Sequence, residues 1–134
     1  MSTVRLLSDE ELSAEAAAVL ADIRATRGSD FINNFWRALA HDPATLKATW
    51  ERLKAVMAPR EGGLDPLTKE LAYLAVSIAN GCAYCIHSHT AAARAKGMTD
   101  SQYGDFLAVV GMASQTNALV TGLQTPVDKV FDAS

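Results

Sequence analysis

The chain has 134 residues, 49% of them hydrophobic, and a formal net charge of −3. That length suits one ordinary domain and that apolar content suffices for a core, so a single domain over residues 1–134 is expected. A mildly acidic chain carries no electrostatic footprint for nucleic acid or for an anionic membrane surface, and neither class of partner is expected.

The N-terminal segment turns acidic at Ser8-Asp-Glu-Glu11 before an apolar stretch of signal-peptide length develops. No later run approaches the ~18 consecutive apolar residues of a membrane span. The expected location is therefore the cytoplasm. In that reducing compartment, two cysteines three apart read as chemistry rather than as a staple.

Gly and Pro fall between segments of helical period, and no stretch alternates with period two, which predicts an all-α fold. The first helix is expected to start at Ser8, where Ser8 and Glu11 match a capping box, and to end near Arg27-Gly28. A short aromatic segment follows, with Phe31, Phe35 and Leu39 four apart on one face that is expected to be core. Asp42-Pro43 starts the next helix, because the aspartate caps free amides and a proline at the first position loses no hydrogen bond. Leu46, Trp50, Leu53 and Met57 form its apolar stripe. Pro59 to Gly63 break the chain, and Asp65-Pro66 repeats the cap-plus-proline start for a helix to about Asn80. After the turn at Asn80-Gly81, a helix runs from about Cys82 to Gly97, a residue suited to closing helices in the left-handed conformation. Thr99-Asp100 opens a last long helix through Phe106, Val109, Val110 and Met112 toward Leu123. The tail from Gln124 contains Pro126.

The chemistry concentrates in Asn80-Gly-Cys-Ala-Tyr-Cys-Ile-His-Ser-His89. With about 100° of rotation per helical residue and Cys82 at zero, Cys85 falls at about 300°, His89 at about 340° and His87 at about 140°. Cys82, Cys85 and His89 therefore share a face, and His87 points away. Cys85 and His89 are one turn apart, so thiol and imidazole can meet. Thiols in a first helical turn gain from the unpaired amides and the helix dipole, which favour the thiolate. A second thiol three residues on can resolve a mixed disulfide or a sulfenic acid. Folding back at Asn80-Gly81 pairs residues near 70 to 73 with residues near 89 to 92 and lands Glu70 beside His89. A carboxylate there orients the ring, supports its protonated form and passes protons.

Other uses of the same residues fit less well. A closed zinc site needs four ligands, and one helix cannot aim both His87 and His89 at the cysteine face. Covalent haem attachment needs a histidine directly after the second cysteine, where Ile86 stands. No metal and no bound cofactor are expected. His41, beside a helix break, reads as structural or exposed.

Glu70, eleven intervening residues, Cys82-Ala-Tyr-Cys85, three intervening residues and His89, followed by Gly97, resembles the core motif of the alkylhydroperoxidase D-like branch of the carboxymuconolactone decarboxylase family. The run from Leu64 to Cys82 is similar to that family's helix leading into the motif. The likeness is specific over residues 64 to 97. It implies a single-domain helical fold with a central helical hairpin carrying the cysteine motif, assembled as a homo-oligomer, a trimer or hexamer. It also implies peroxidase or thiol-disulfide activity linked to a peroxiredoxin or a lipoylated protein, with Glu70, Cys82, Cys85 and His89 in the catalytic roles. Some members place a histidine immediately before the second cysteine, where this chain has Tyr84. The decarboxylase branch does not rely on a cysteine pair, so the dithiol argues for the redox branch.

The resulting expectation is a thiol-dependent peroxidase acting on alkyl or other hydroperoxides. Glu70 and His89 assist deprotonation of Cys85, Cys82 condenses with the sulfenic acid, and an external dithiol, a lipoyl group among the candidates, reopens the disulfide. Helix position favours the thiolate of Cys82 instead, so the order of attack stays open. The alternatives are a thiol-disulfide reductase or adaptor that never meets peroxide, and a non-catalytic helical oligomer whose dithiol senses oxidation.

Overall fold

The computed structural model describes residues 2–131. It contains six α-helices: α1 (Ala14–Arg27), α2 (Asn34–Leu39), α3 (Pro43–Met57), α4 (Pro66–Ala79), α5 (Ala83–Ala95) and α6 (Asp100–Leu123). Three-residue 3-10 turns lie at Asp9–Glu11 and Lys129–Phe131, and no strand occurs among the described residues. By its internal contacts the chain divides into two compact units, Met1–Ala58 and Pro59–Ser134.

In the first unit the Ser8 signal is real, but it does not open the long helix. The Ser8 amide donates to Glu11 Oε2 at 2.8 Å, yet the turn this closes is only the 3-10 turn Asp9–Glu11. Leu12 is extended and packs against the core, and Ser13 then caps α1 by accepting the Ala16 amide at 3.2 Å. On either side of this break, Leu7 is buried in the core and Leu12 packs against it.

α1 and α3 pack together, and α2 packs on α3. Leu20 and Ile23 of α1 and Leu46 of α3 are fully buried; removing each such side chain from water contributes roughly 1.5–3 kcal/mol. The aromatic segment keeps its expected spacing of four, but on the neighbouring face. Ile32, Trp36 and Ala40 are buried, whereas Phe31 is 68% and Phe35 44% exposed. Trp36 meets Trp50 edge to face, with ring centroids 5.6 Å apart. The Trp50 indole N–H donates to Asp22 at 2.6 Å, which explains why a tryptophan with a polar edge can close this core. The α3 stripe is as expected, with Leu46 and Trp50 buried and Leu53 and Met57 half-buried. His41 Nε2 donates to the Arg5 carbonyl at 2.7 Å, a structural contact.

In the second unit α4 and α5 form a helical hairpin, and α6 packs on α4. Asp65 caps α4 by accepting the Thr68 amide at 3.0 Å, with Pro66 at the first helical position. Tyr103, Phe106 and Val110, spaced three and four, are the half-buried positions of α6; no residue of that helix is fully buried. Val109, Met112, Leu119, Val120 and Leu123 are exposed. By length and composition α6 is apolar enough to cross a membrane. A count of consecutive apolar residues overlooks this, because Ser114-Gln-Thr-Asn117 interrupts the run.

Candidate active site

The site is built by one turn. At the end of α4, Asn80 is the C-cap and Gly81 adopts φ +67°, a conformation costly for a residue with a Cβ. The Gly81 amide donates to the Ile78 carbonyl at 3.1 Å and the Cys82 amide to the Ser77 carbonyl at 3.0 Å. These are the two bonds of a Schellman closure. Cys82 is at once the last residue of that closure and the N-cap of α5, so the residue that ends one helix puts its sulfur at the start of the next. The Cys85 amide donates to Cys82 Sγ at 3.3 Å. Cys82 and Cys85 are joined as a disulfide.

Two turns of hairpin away, His89 Nδ1 lies 2.7 Å from Glu70 Oε2. The equal-distance count about Asn80-Gly81 therefore placed Glu70 correctly. Cys82, Cys85 and His89 are all half-buried while His87 is exposed. Glu70 itself is only 5% exposed.

Two further residues complete the arrangement. Lys96 Nζ donates to Glu70 Oε1 at 2.7 Å, and the Tyr73 ring stacks on the His89 imidazole with centroids 3.7 Å apart and planes 22° from parallel. Neither was singled out from the sequence, although each carried a signal. Lys96 lies seven residues after His89, two turns along one face, and Tyr73 lies three after Glu70.

Burial pushes the Glu70 carboxyl up, but the hydrogen bonds from His89 and Lys96 and the Lys96 charge outweigh it and hold the group below the usual glutamate range. An ionised carboxylate only accepts, so Nδ1 of His89 carries the proton that points at Oε2. In the neutral ring, Nε2 is then the nitrogen with a free lone pair. The arrangement can accept a proton at Nε2 and stabilise the resulting imidazolium through Glu70. Among the described residues no group of three or more His, Cys, Asp or Glu is placed to hold a metal ion.

The carboxymuconolactone decarboxylase family model matches residues 43–126. The chain is 37% identical over 122 residues to a Maricaulis maris protein named alkyl hydroperoxide reductase AhpD, covering 87% of this chain and 62% of that one. A Solibacter usitatus protein of the same name is 37% identical over 68 residues, 51% of this chain and 37% of the relative. The chain thus spans less than two thirds of the length of these curated relatives. The crystal structure of an alkylhydroperoxidase AhpD core from Rhodospirillum rubrum is 63% identical, with a TM-score of 0.95 over 100% of this chain and 99% of that one. Family match, relatives and structural neighbour agree with the cysteine hairpin in one conclusion: the chain belongs to the carboxymuconolactone decarboxylase family, as an alkylhydroperoxidase D-like member.

Proposed function

We propose that the chain is a thiol-dependent peroxidase that reduces hydroperoxides, alkyl hydroperoxides among them, through the Cys82–Cys85 dithiol. One observation carries the reading: the hairpin that holds the disulfide also pairs the buried carboxylate of Glu70 with the half-buried imidazole of His89, 2.7 Å apart. The names of the relatives support the same class of substrate.

In the reduced state His89 Nε2 takes the Cys85 proton, and Glu70 stabilises the imidazolium through Nδ1–H. The Cys85 thiolate attacks the terminal peroxide oxygen. The O–O bond breaks, Cys85 becomes a sulfenic acid, and the leaving alkoxide takes the proton to depart as alcohol. The Cys82 sulfur then attacks the sulfenic acid, forming the disulfide and releasing water. The two electrons that reduce the peroxide come from the dithiol. An external dithiol, with the lipoyl group of a lipoylated protein as the candidate, returns them by thiol–disulfide exchange and leaves as its own disulfide. A peroxiredoxin is the alternative partner, and the cytoplasm is the fitting compartment.

The amide of Cys85 on Cys82 Sγ favours the reverse order of events, with Cys82 as the first thiolate. Trapping the sulfenic acid in Cys82→Ala and Cys85→Ala variants separates the two. A sulfenate found only on Cys85, in the Cys82→Ala protein, supports Cys85 as the attacking thiol; one found only on Cys82 reverses the order. The activity itself is tested by following peroxide consumption with dihydrolipoamide and with a generic dithiol, using the double cysteine variant as the blank. Consumption above the blank is expected. Turnover of a disulfide substrate without peroxide consumption would instead support the reductase or adaptor reading.

Assembly as a homo-oligomer, a trimer or hexamer, belongs to the same proposal. The exposed apolar residues of α6 support it, since contiguous apolar surface of this kind marks interaction sites.

A further inference from the structure

We infer that Lys96 is a positioning residue of this site: it holds Oε1 of Glu70 and so presents Oε2, as carboxylate, to Nδ1 of His89. The inference rests on the peroxidase reading for its consequence in turnover, and on geometry for the rest.

The physical reason starts from charge. To accept a thiol proton His89 must be neutral, and to steer the ring Glu70 must at that moment be ionised. Without another group, that state is a lone negative charge on a carboxylate that is only 5% exposed, which is a costly arrangement. A buried carboxyl–imidazole pair left to itself settles with the proton between its partners, as ion pair or as neutral pair. The first leaves no base and the second removes the anchor. Lys96, at 2.7 Å, supplies the positive charge that lets an ionised Glu70 and a neutral His89 coexist.

The position of Lys96 is itself fixed. It is the C-cap of α5, and its amide donates to the Ala92 and Ala93 carbonyls, each at 3.1 Å. Gly97 follows at φ +95°, donating to the Arg94 carbonyl at 3.0 Å, and Met98 donates to the Ala93 carbonyl at 3.1 Å. This is a second Schellman closure, sealed by the buried pair Ala93 and Met98. From that position the lysine ammonium meets Oε1 of Glu70 while His89 meets Oε2.

Among the neighbouring titratable groups, Lys69 of α4 is half-buried beside Glu70 in the sequence. On α5, Arg94 is turned to Asp100 at 2.7 Å and lies over the Tyr103 ring, and His87 is exposed. On α6, Asp100 is held by Arg94 and Asp105 is exposed. On α4 itself, Tyr73 stacks on His89 and Asp65 caps the helix.

The test compares wild type with Lys96→Met and Lys96→Arg. The Glu70 carboxyl is followed by carbon-13 NMR against pH in the oxidised protein, where no thiol titrates, and peroxide reduction is profiled against pH. In Lys96→Met the Glu70 midpoint moves to higher pH and the acid limb of the activity profile moves with it. In Lys96→Arg both return toward wild type. The inference is overturned by a folded Lys96→Met whose Glu70 midpoint stays in place, or whose activity falls evenly at every pH. The side chain of Lys96 is 38% exposed, and should Lys96→Met not fold, Lys96→Gln carries the same measurement. A wild-type chain that consumes no peroxide overturns the peroxidase reading, while the carboxyl titration still decides the role of Lys96.

Discussion

The two units of the chain differ in what they bury. Residues 2–58 bury a cluster of ten apolar side chains, from Leu7 to Trp50, and their polar contacts secure its edges, as when Asp9 receives Arg24 at 2.7 Å and Arg37 at 2.9 Å. The buried side chains described in residues 59–131 are Glu70, Leu74, Ser77, Ala93 and Met98, two of them polar. The second unit thus buries a carboxylate among three apolar side chains, and several apolar residues of α6 are exposed. A buried carboxylate is tolerated only where hydrogen-bonded cations or donors meet it, as His89 and Lys96 meet Glu70 here. Stability and reactivity should therefore respond to different substitutions.

The largest effect is expected from Cys85→Ser or Cys82→Ser, each of which should bring catalytic peroxide turnover with a dithiol donor down to the blank while the helical signal by circular dichroism is retained. In the other direction, Leu46→Ala should cost about 2–5 kcal/mol in denaturant unfolding. Under conditions where that variant is folded, it should still form the Cys82–Cys85 disulfide at the wild-type rate. A rate that collapsed with Leu46 would break the contrast between the units.

Glu70→Gln should lower peroxide turnover about 10²-fold, the low end for loss of acid–base assistance, with no loss of the α4–α5 hairpin. The same residue gives a pH signature. Its carboxyl lies below the usual glutamate range in the folded chain, so its contribution to stability is complete above the ordinary range and is lost as pH falls through the lowered value. Unfolding free energy measured down the acid limb should fall less steeply in Glu70→Gln than in wild type. An identical slope would remove Glu70 from the account. The smallest effect on the fold of a single chain is expected at Leu119→Lys, an exposed position. In light scattering that variant should lower the mass of an assembly, and a wild-type mass equal to one chain would contradict the oligomer proposal.

Much of the fold is written in short-range signals. Asp42-Pro43 and Asp65-Pro66 start helices where expected, since capping involves only neighbours, and Asn80-Gly81 closes α4 for the same reason. The site followed from two local facts, the angular spacing on α5 and the reversal at Gly81, which together put Glu70 against His89. Local signals failed where two choices were nearly equal. The spacing of four from residue 31 to residue 40 holds for Phe31, Phe35 and Leu39 and equally for Ile32, Trp36 and Ala40, and of the first set only Leu39 packs against the core. Which face turned inward depended on the edge-to-face contact of Trp36 with Trp50, a partner 14 positions away. Ser8 likewise carried a true cap, but the turn it closes ends at Glu11 and Leu12 is extended.

Cys82, Cys85, His89 and Glu70 could be named from order along the chain, because helix rotation and a glycine turn are properties of a few adjacent residues. Lys96 and Tyr73 could not be separated in that way from the other exposed lysines and tyrosines, although each stands at a helical spacing from a site residue. Their roles arise from the packing of α5 on α4, which brings a cation to one oxygen of Glu70 and an aromatic face to His89. A charge pair or a stacked ring depends on where two helices meet, and that meeting is fixed by packing across the hairpin.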